Sequence, residues 1–105
     1  ESVDQMSVHA IKAAGSEVQV IDVRSPGEWD GGHIPGATHI FLPELRDNAD
    51  KLDKDRPIAA YCNSGYRASL ATSILKQEGF AQVCNVPGSW QAWNRAGYPV
   101  EGGEK

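Results

Sequence analysis

Short apolar runs and helically spaced apolar residues take turns along this chain, and their order predicts its elements. Val18-Gln19-Val20-Ile21-Asp22-Val23 is rich in β-branched residues and too apolar for a solvent-facing sheet edge, so it reads as a buried strand. Thr38-His39-Ile40-Phe41, Ile58-Ala59-Ala60-Tyr61 and Gln82-Val83-Cys84-Asn85-Val86 read as three more. Helical spacing falls between them. Val8 and Ile11 sit three apart, Leu70, Ile74 and Leu75 follow the third strand, and Trp90 and Trp93 share the face of a closing helix.

Punctuation residues bound these elements. Ser7 is placed to cap the first helix and Gly15 to stop it. Ser25, Pro26 and Glu28 form the pattern of a capping box with proline at the first helical position, ended by Gly31-Gly32. His33 through Ala37 is a Pro/Gly-interrupted connection, Pro43 opens a short helix near Glu44-Leu45-Arg46, and residues 47–56 read as a polar loop. Pro57 suits the first place of a strand, Gly79 a helix C-cap, and Ser89 the N-cap of the last helix before Gly97-Tyr98-Pro99 and a polar tail.

Strands alternating with helices imply an α/β domain with a mainly parallel, about five-stranded sheet and helices on both faces. Ligands of such sheets bind at the carboxyl ends of the strands. Cys62 stands there, directly after Ile58-Ala59-Ala60-Tyr61 and before the helix at Ala68 to Lys76. A loop closing onto a helix start aims unpaired backbone N–H groups and the positive end of the helix dipole at one point, which stabilises an anion. Cys62 is therefore expected to be an exposed, nucleophilic thiolate. The backbone N–H groups of Asn63, Ser64, Gly65, Tyr66 and Arg67 form its cradle, Gly65 allows the tight turn by taking positive φ without strain, and the Arg67 guanidinium adds positive potential.

At 105 residues the chain fits one compact domain, residues 1–105, and its 40% hydrophobic and 23% charged composition indicates neither disorder nor a membrane span. A formal net charge of −4 argues against a nucleic-acid footprint. Cys62 and Cys84 fall in different elements of a chain large enough to do without a disulfide, which favours a reducing, cytoplasmic setting. The first residues carry neither an initiator Met nor a signal pattern, as in an excised domain or a processed product.

Four residues separate Cys62 from Arg67, one fewer than in the Cys-x5-Arg loop of protein phosphatases, so the cradle suits one extra sulfur atom better than a phosphate. With Asp22-Val23-Arg24, the run Glu28 to Ala37, the Cys62 loop and Pro87-Gly88-Ser89-Trp90-Gln91-Ala92-Trp93 in this order, the chain resembles the rhodanese family of sulfurtransferases over nearly its whole length. The resemblance implies a three-layer α/β/α fold. It implies that Cys62 takes sulfane sulfur from thiosulfate or a low-molecular-weight persulfide as a persulfide and passes it to cyanide, glutathione or a protein thiol. It also implies that no metal or organic cofactor is needed, and that Asp22 and Arg24 support the active-site loop. Glu28 to His33 and Gly88 to Trp93 are similar to rhodanese modules fused to metallo-β-lactamase-fold persulfide dioxygenases, so such a domain, fused or separate, is the expected protein partner.

The plainer roles stand beside these. Arg24 is expected in a structural salt bridge with Glu28, His33 in an architectural place within Gly-His-Ile-Pro-Gly, and Cys84 on its strand without chemistry. His9, His33 and His39 have no metal-ligand spacing, and Trp90 and Trp93 fit core packing. Two rival functions remain: a non-catalytic binding module, which the presence of Cys62 disfavours, and a phosphatase or arsenate-reductase-like enzyme, which would need the longer loop.

Overall fold

The computed structural model describes residues 5–63 and 66–102. Its strands, β1 (Gln19–Asp22), β2 (Thr38–His39), β3 (Ile58–Tyr61) and β4 (Val83–Asn85), form one sheet in the order β2-β1-β3-β4, with every pair parallel. The helices are α1 (Val8–Ala14), α2 (Pro26–Asp30), α3 (Leu45–Asn48), α4 (Tyr66–Gln77) and α5 (Ser89–Arg95). Among the described residues no helix is long and apolar enough to cross a membrane.

Central β3 is buried along its whole length, as the near-continuous apolar run demands of a strand covered on both faces. Its side chains alternate between two cores. Ile58 and Ala60 join Leu45, Ala49, Ala71 and Leu75 on the α3/α4 side, whereas Ala59 and Tyr61 join Val8, Ile11 and Trp93 on the α1/α5 side. The result is the expected three-layer α/β/α arrangement.

Local punctuation acts largely as read. Ser7 Oγ accepts the Ala10 N–H and Gly15 ends α1 at φ 58°. The Ser25/Glu28 capping box closes at both ends. In three places the fold departs from the expectation. The sheet has four strands among the described residues, not five; at the β4 edge Gln5 makes an isolated parallel bridge to Asn85, and Ser7 turns the chain into α1 two residues later. Residues 47–56 are not simply a loop. Leu45, Ala49 and Leu52 recur at spacings of four and three and are buried, which orders α3 and the 3-10 turn at Ala49–Lys51 between charged neighbours.

The third departure lies at the start of α5. Gly88, at φ 71°, takes the N-cap place, and Ser89 is the first helical residue, at φ 48°. A Cβ at position 88 would stand 2.7 Å from the Ala92 Cβ. Gly88→Ala is therefore expected to destabilise the fold by about 2 kcal/mol, from overpacking and left-handed strain together. Urea unfolding with an unchanged midpoint would contradict this.

Candidate active site

In the sheet register Asp22 lies beside Tyr61, so the segments leaving β1 and β3 place Arg24 and Cys62 at the same carboxyl edge. Cys62 is 1% exposed, which corrects the expectation of an exposed thiol. It packs in the core cluster with Val23, Ala60 and Ala68, since α4 and α5 close over the strand end. The sulfur nevertheless meets the start of α4, where the Ala68 N–H donates to Sγ at 3.3 Å. From the other side the Ser89 hydroxyl accepts the Cys62 N–H at 3.1 Å, and the Trp90 and Gln91 N–H groups donate to the carbonyls of Cys62 and Asn63 at 2.8 and 3.1 Å. Of the expected cradle, Asn63 and Arg67 are half-buried and Tyr66 is 74% exposed. Ser64 and Gly65, with the positive φ expected of the latter, lie outside the described residues.

Arg67 is held in a bidentate pair. Its Nη1 and Nη2 donate to the two oxygens of Glu28 at 2.8 and 3.1 Å. Glu28 thus belongs to Arg67 and not to Arg24, correcting the expected pair. Its Oε1 also accepts the Ser25 N–H and hydroxyl at 3.1 Å, so one carboxylate both caps α2 and anchors the far end of the Cys62 loop. The Arg67 hydrogen bonds, with the Ser25 contacts behind them, push the Glu28 pKa down from its usual 4.5 to about 2, and the same pairing raises that of Arg67. A depressed carboxylate stabilises the fold above its unfolded pKa and loses that contribution as pH falls from about 4.5 through about 2. Both side chains are about a third exposed, so screening holds the contribution to about 1 kcal/mol. Glu28→Gln should accordingly be less stable than the parent at neutral pH, with the gap closing towards pH 2. A gap independent of pH in denaturation curves would refute the pairing.

Asp22 and Arg24 form a second, fully enclosed pair. Arg24 Nε and Nη2 donate to the Asp22 carboxylate at 2.8–3.1 Å, its backbone N–H reaches Asp22 Oδ1 at 2.9 Å, and Nη2 also donates to the Gly32 carbonyl at 2.6 Å. Burial opposes charge on Arg24, but the hydrogen bonds and charge of Asp22 outweigh it and leave the guanidinium pKa above its usual value. The guanidinium lies 4.9 Å from the Trp90 ring centroid. This pair therefore bears on Cys62 through Trp90, whose N–H holds the Cys62 carbonyl. Burial, and then the charge of Asp22, push the Tyr61 pKa above its usual range, so the neutral phenol accepts the Ile34 N–H.

The remaining candidates take the plainer roles. His33 Nδ1 lies 2.9 Å from the Trp29 carbonyl, with the two rings stacked, and His39 bonds the Arg24 carbonyl. No group of His, Cys, Asp or Glu among the described residues has the geometry of a metal site. Cys84 faces Ala59 across β3–β4, with no disulfide to Cys62, and Trp93 is buried with its indole N–H on the Pro99 carbonyl. A cavity of about 500 Å3 beside Ile11, Val18 and Trp93 lies at the opposite, amino end of β1 and takes no part in this site. Glu28 as the partner of Arg67, and Ser89 beneath Cys62, were not legible as site residues. The capping box and the Pro-Gly-Ser break were visible only as local signals.

Residues 7–96 match the description Rhodanese-like domain. The chain belongs to the rhodanese family. Among its relatives, a protein of Allochromatium vinosum named Sulfurtransferase is 33% identical over 98 residues, covering 93% of this chain and 92% of that protein. The uncharacterized protein YqhL of Bacillus subtilis is 34% identical over 82 residues, covering 78% of this chain, and the rhodanese domain here spans 65% of its length. The crystal structure of a rhodanese-related protein from Thermoplasma volcanium superposes with a TM-score of 0.86 at 31% identity, covering 92% of this chain and 96% of that one. Within the family, sulfur transfer is named for the Allochromatium vinosum relative.

Proposed function

We propose that this rhodanese domain is a sulfurtransferase that carries sulfane sulfur on Cys62. The observation that carries the reading is the placement of Cys62 Sγ at a strand end with the Ala68 N–H of α4 aimed at it. In the first half-reaction the Cys62 thiolate attacks the outer sulfur of thiosulfate; a sulfur–sulfur bond forms on Cys62, the one in thiosulfate breaks, and sulfite departs with the electron pair. With glutathione persulfide the leaving group is the glutathione thiolate. In the second half-reaction an acceptor thiolate or cyanide attacks the terminal sulfur and the Cys62 thiolate is released. No electrons are gained or lost overall. The Ala68 N–H at the start of α4 stabilises negative charge on the sulfur, and the Arg67 guanidinium, fixed by Glu28, anchors the far end of the loop. The family relative named Sulfurtransferase supports this reading, as does the short spacing from Cys62 to Arg67, which leaves little room for a tetrahedral oxyanion.

Intact mass of the reduced protein, after separate exposure to thiosulfate and glutathione persulfide, tests the proposal. Gain of one sulfur, removed again by cyanide, is the expected result and ranks the two donors. No gain with either donor, together with turnover of an aryl phosphate or arsenate, would replace this reading with phosphatase-type or arsenate-reductase-type chemistry.

A further inference from the structure

We infer that Ser89 is a positioning residue for Cys62, its buried hydroxyl setting the direction in which the thiol points; the kinetic part of this inference rests on the sulfur-transfer reading above. Ser89 is completely buried and, among the described residues, is the one non-glycine with positive φ, at 48°. Such a conformation is strained for a residue with a Cβ, and persists where the surroundings over-determine it. What the serine supplies there is an oxygen of fixed polarity. Its proton is committed to the Val86 carbonyl at 2.9 Å, so a lone pair faces the Cys62 N–H at 3.1 Å. Glycine would meet the backbone requirement without strain but has no hydroxyl. Alanine would keep the strain and lose the bond.

The hydroxyl completes a clamp. With the Trp90 N–H on the Cys62 carbonyl and the Gln91 N–H on that of Asn63, both peptide groups flanking the Cys62 side chain are tied to the first turn of α5. The Cys62 Cα–Cβ bond is then aimed across to α4, where Sγ meets the Ala68 N–H. Thiolate attack on a sulfur–sulfur bond needs the three sulfurs nearly in line, so a small rotation at Cys62 displaces Sγ from the attack line without changing its chemistry. Misplacement of a reacting atom on this scale lowers the rate by about ten- to a hundredfold. Ser89 thus acts through Cys62 and touches no substrate.

The test uses Ser89→Gly, which relieves the strain, and Ser89→Ala, which retains it, both in a Cys84→Ser background so that Cys62 is the single thiol. Three readouts apply: the amide proton signal and hydrogen exchange of Cys62, the kcat and KM for sulfur transfer from thiosulfate to cyanide, and the rate of alkylation by iodoacetamide at a pH where the rate has reached its plateau. In folded Ser89→Gly the Cys62 amide should exchange faster, and kcat should fall about tenfold with KM within about twofold. Ser89→Ala should show the same kinetics at lower stability; if it does not fold, Ser89→Gly alone decides. An unchanged Cys62 amide, or a kcat within about twofold of the parent, overturns the inference. Should the parent itself take up no sulfur, the functional reading fails separately and alkylation decides: about tenfold slower in Ser89→Gly upholds the positioning role, and an equal or faster rate ends it.

Discussion

Cys62→Ser is expected to take up no sulfur from thiosulfate or glutathione persulfide while keeping the parent fold. A serine hydroxyl is nearly the size of the thiol it replaces, and the contacts that fix the position involve the backbone: the Cys62 N–H on Ser89, and its carbonyl under the Trp90 N–H. The Ala68 N–H that meets Sγ can equally be accepted by a serine oxygen. Stability should fall by about 1–3 kcal/mol, because a hydroxyl costs more than a thiol to desolvate in this apolar cluster, whereas the sulfur that forms and releases a persulfide is gone altogether. Intact mass and circular dichroism on the same sample separate the two effects. Sulfur gain on a folded Cys62→Ser protein would remove Cys62 from the chemistry and direct attention to Cys84.

Arg24→Leu has the largest expected effect on stability. Asp22 is completely buried, and its carboxylate is satisfied by the side chain and backbone N–H of Arg24. Removing the guanidinium leaves a buried charge without its counter-charge, at a cost of about 3–5 kcal/mol. A small domain holds about 5–15 kcal/mol in total, so the variant should unfold at much lower urea concentration. The double change Asp22→Asn with Arg24→Leu should recover part of the loss, because the orphaned charge is then absent. The folded fraction of Arg24→Leu should also transfer sulfur more slowly, since the guanidinium beside the Trp90 ring helps place the N–H that holds the Cys62 carbonyl. A loss below about 1 kcal/mol would mean that Asp22 does not depend on this partner.

Much of what depends on residues within about one helical turn of one another is legible in the amino-acid sequence. The caps at Ser7 and at Ser25/Glu28, the continuous apolar run that marks Ile58 to Tyr61 as a doubly covered strand, and the position of Cys62 between that strand and α4 all follow from fixed backbone geometry acting over a few positions. The short helix at Leu45 was read from Pro43, but its continuation through the 3-10 turn at Ala49–Lys51 was not, because charged residues separate the buried Leu45, Ala49 and Leu52. The family was legible too, through four short motifs in order. The tertiary structure decided the rest. Glu28 meets Arg67 across 39 residues, and Ser89 meets Cys62 across 27. The same packing turned the expected exposed thiol into a buried one. Those pairings exist only once the strands have taken the order β2-β1-β3-β4, and that order is set by collective burial of both sheet faces, which no single window of sequence contains.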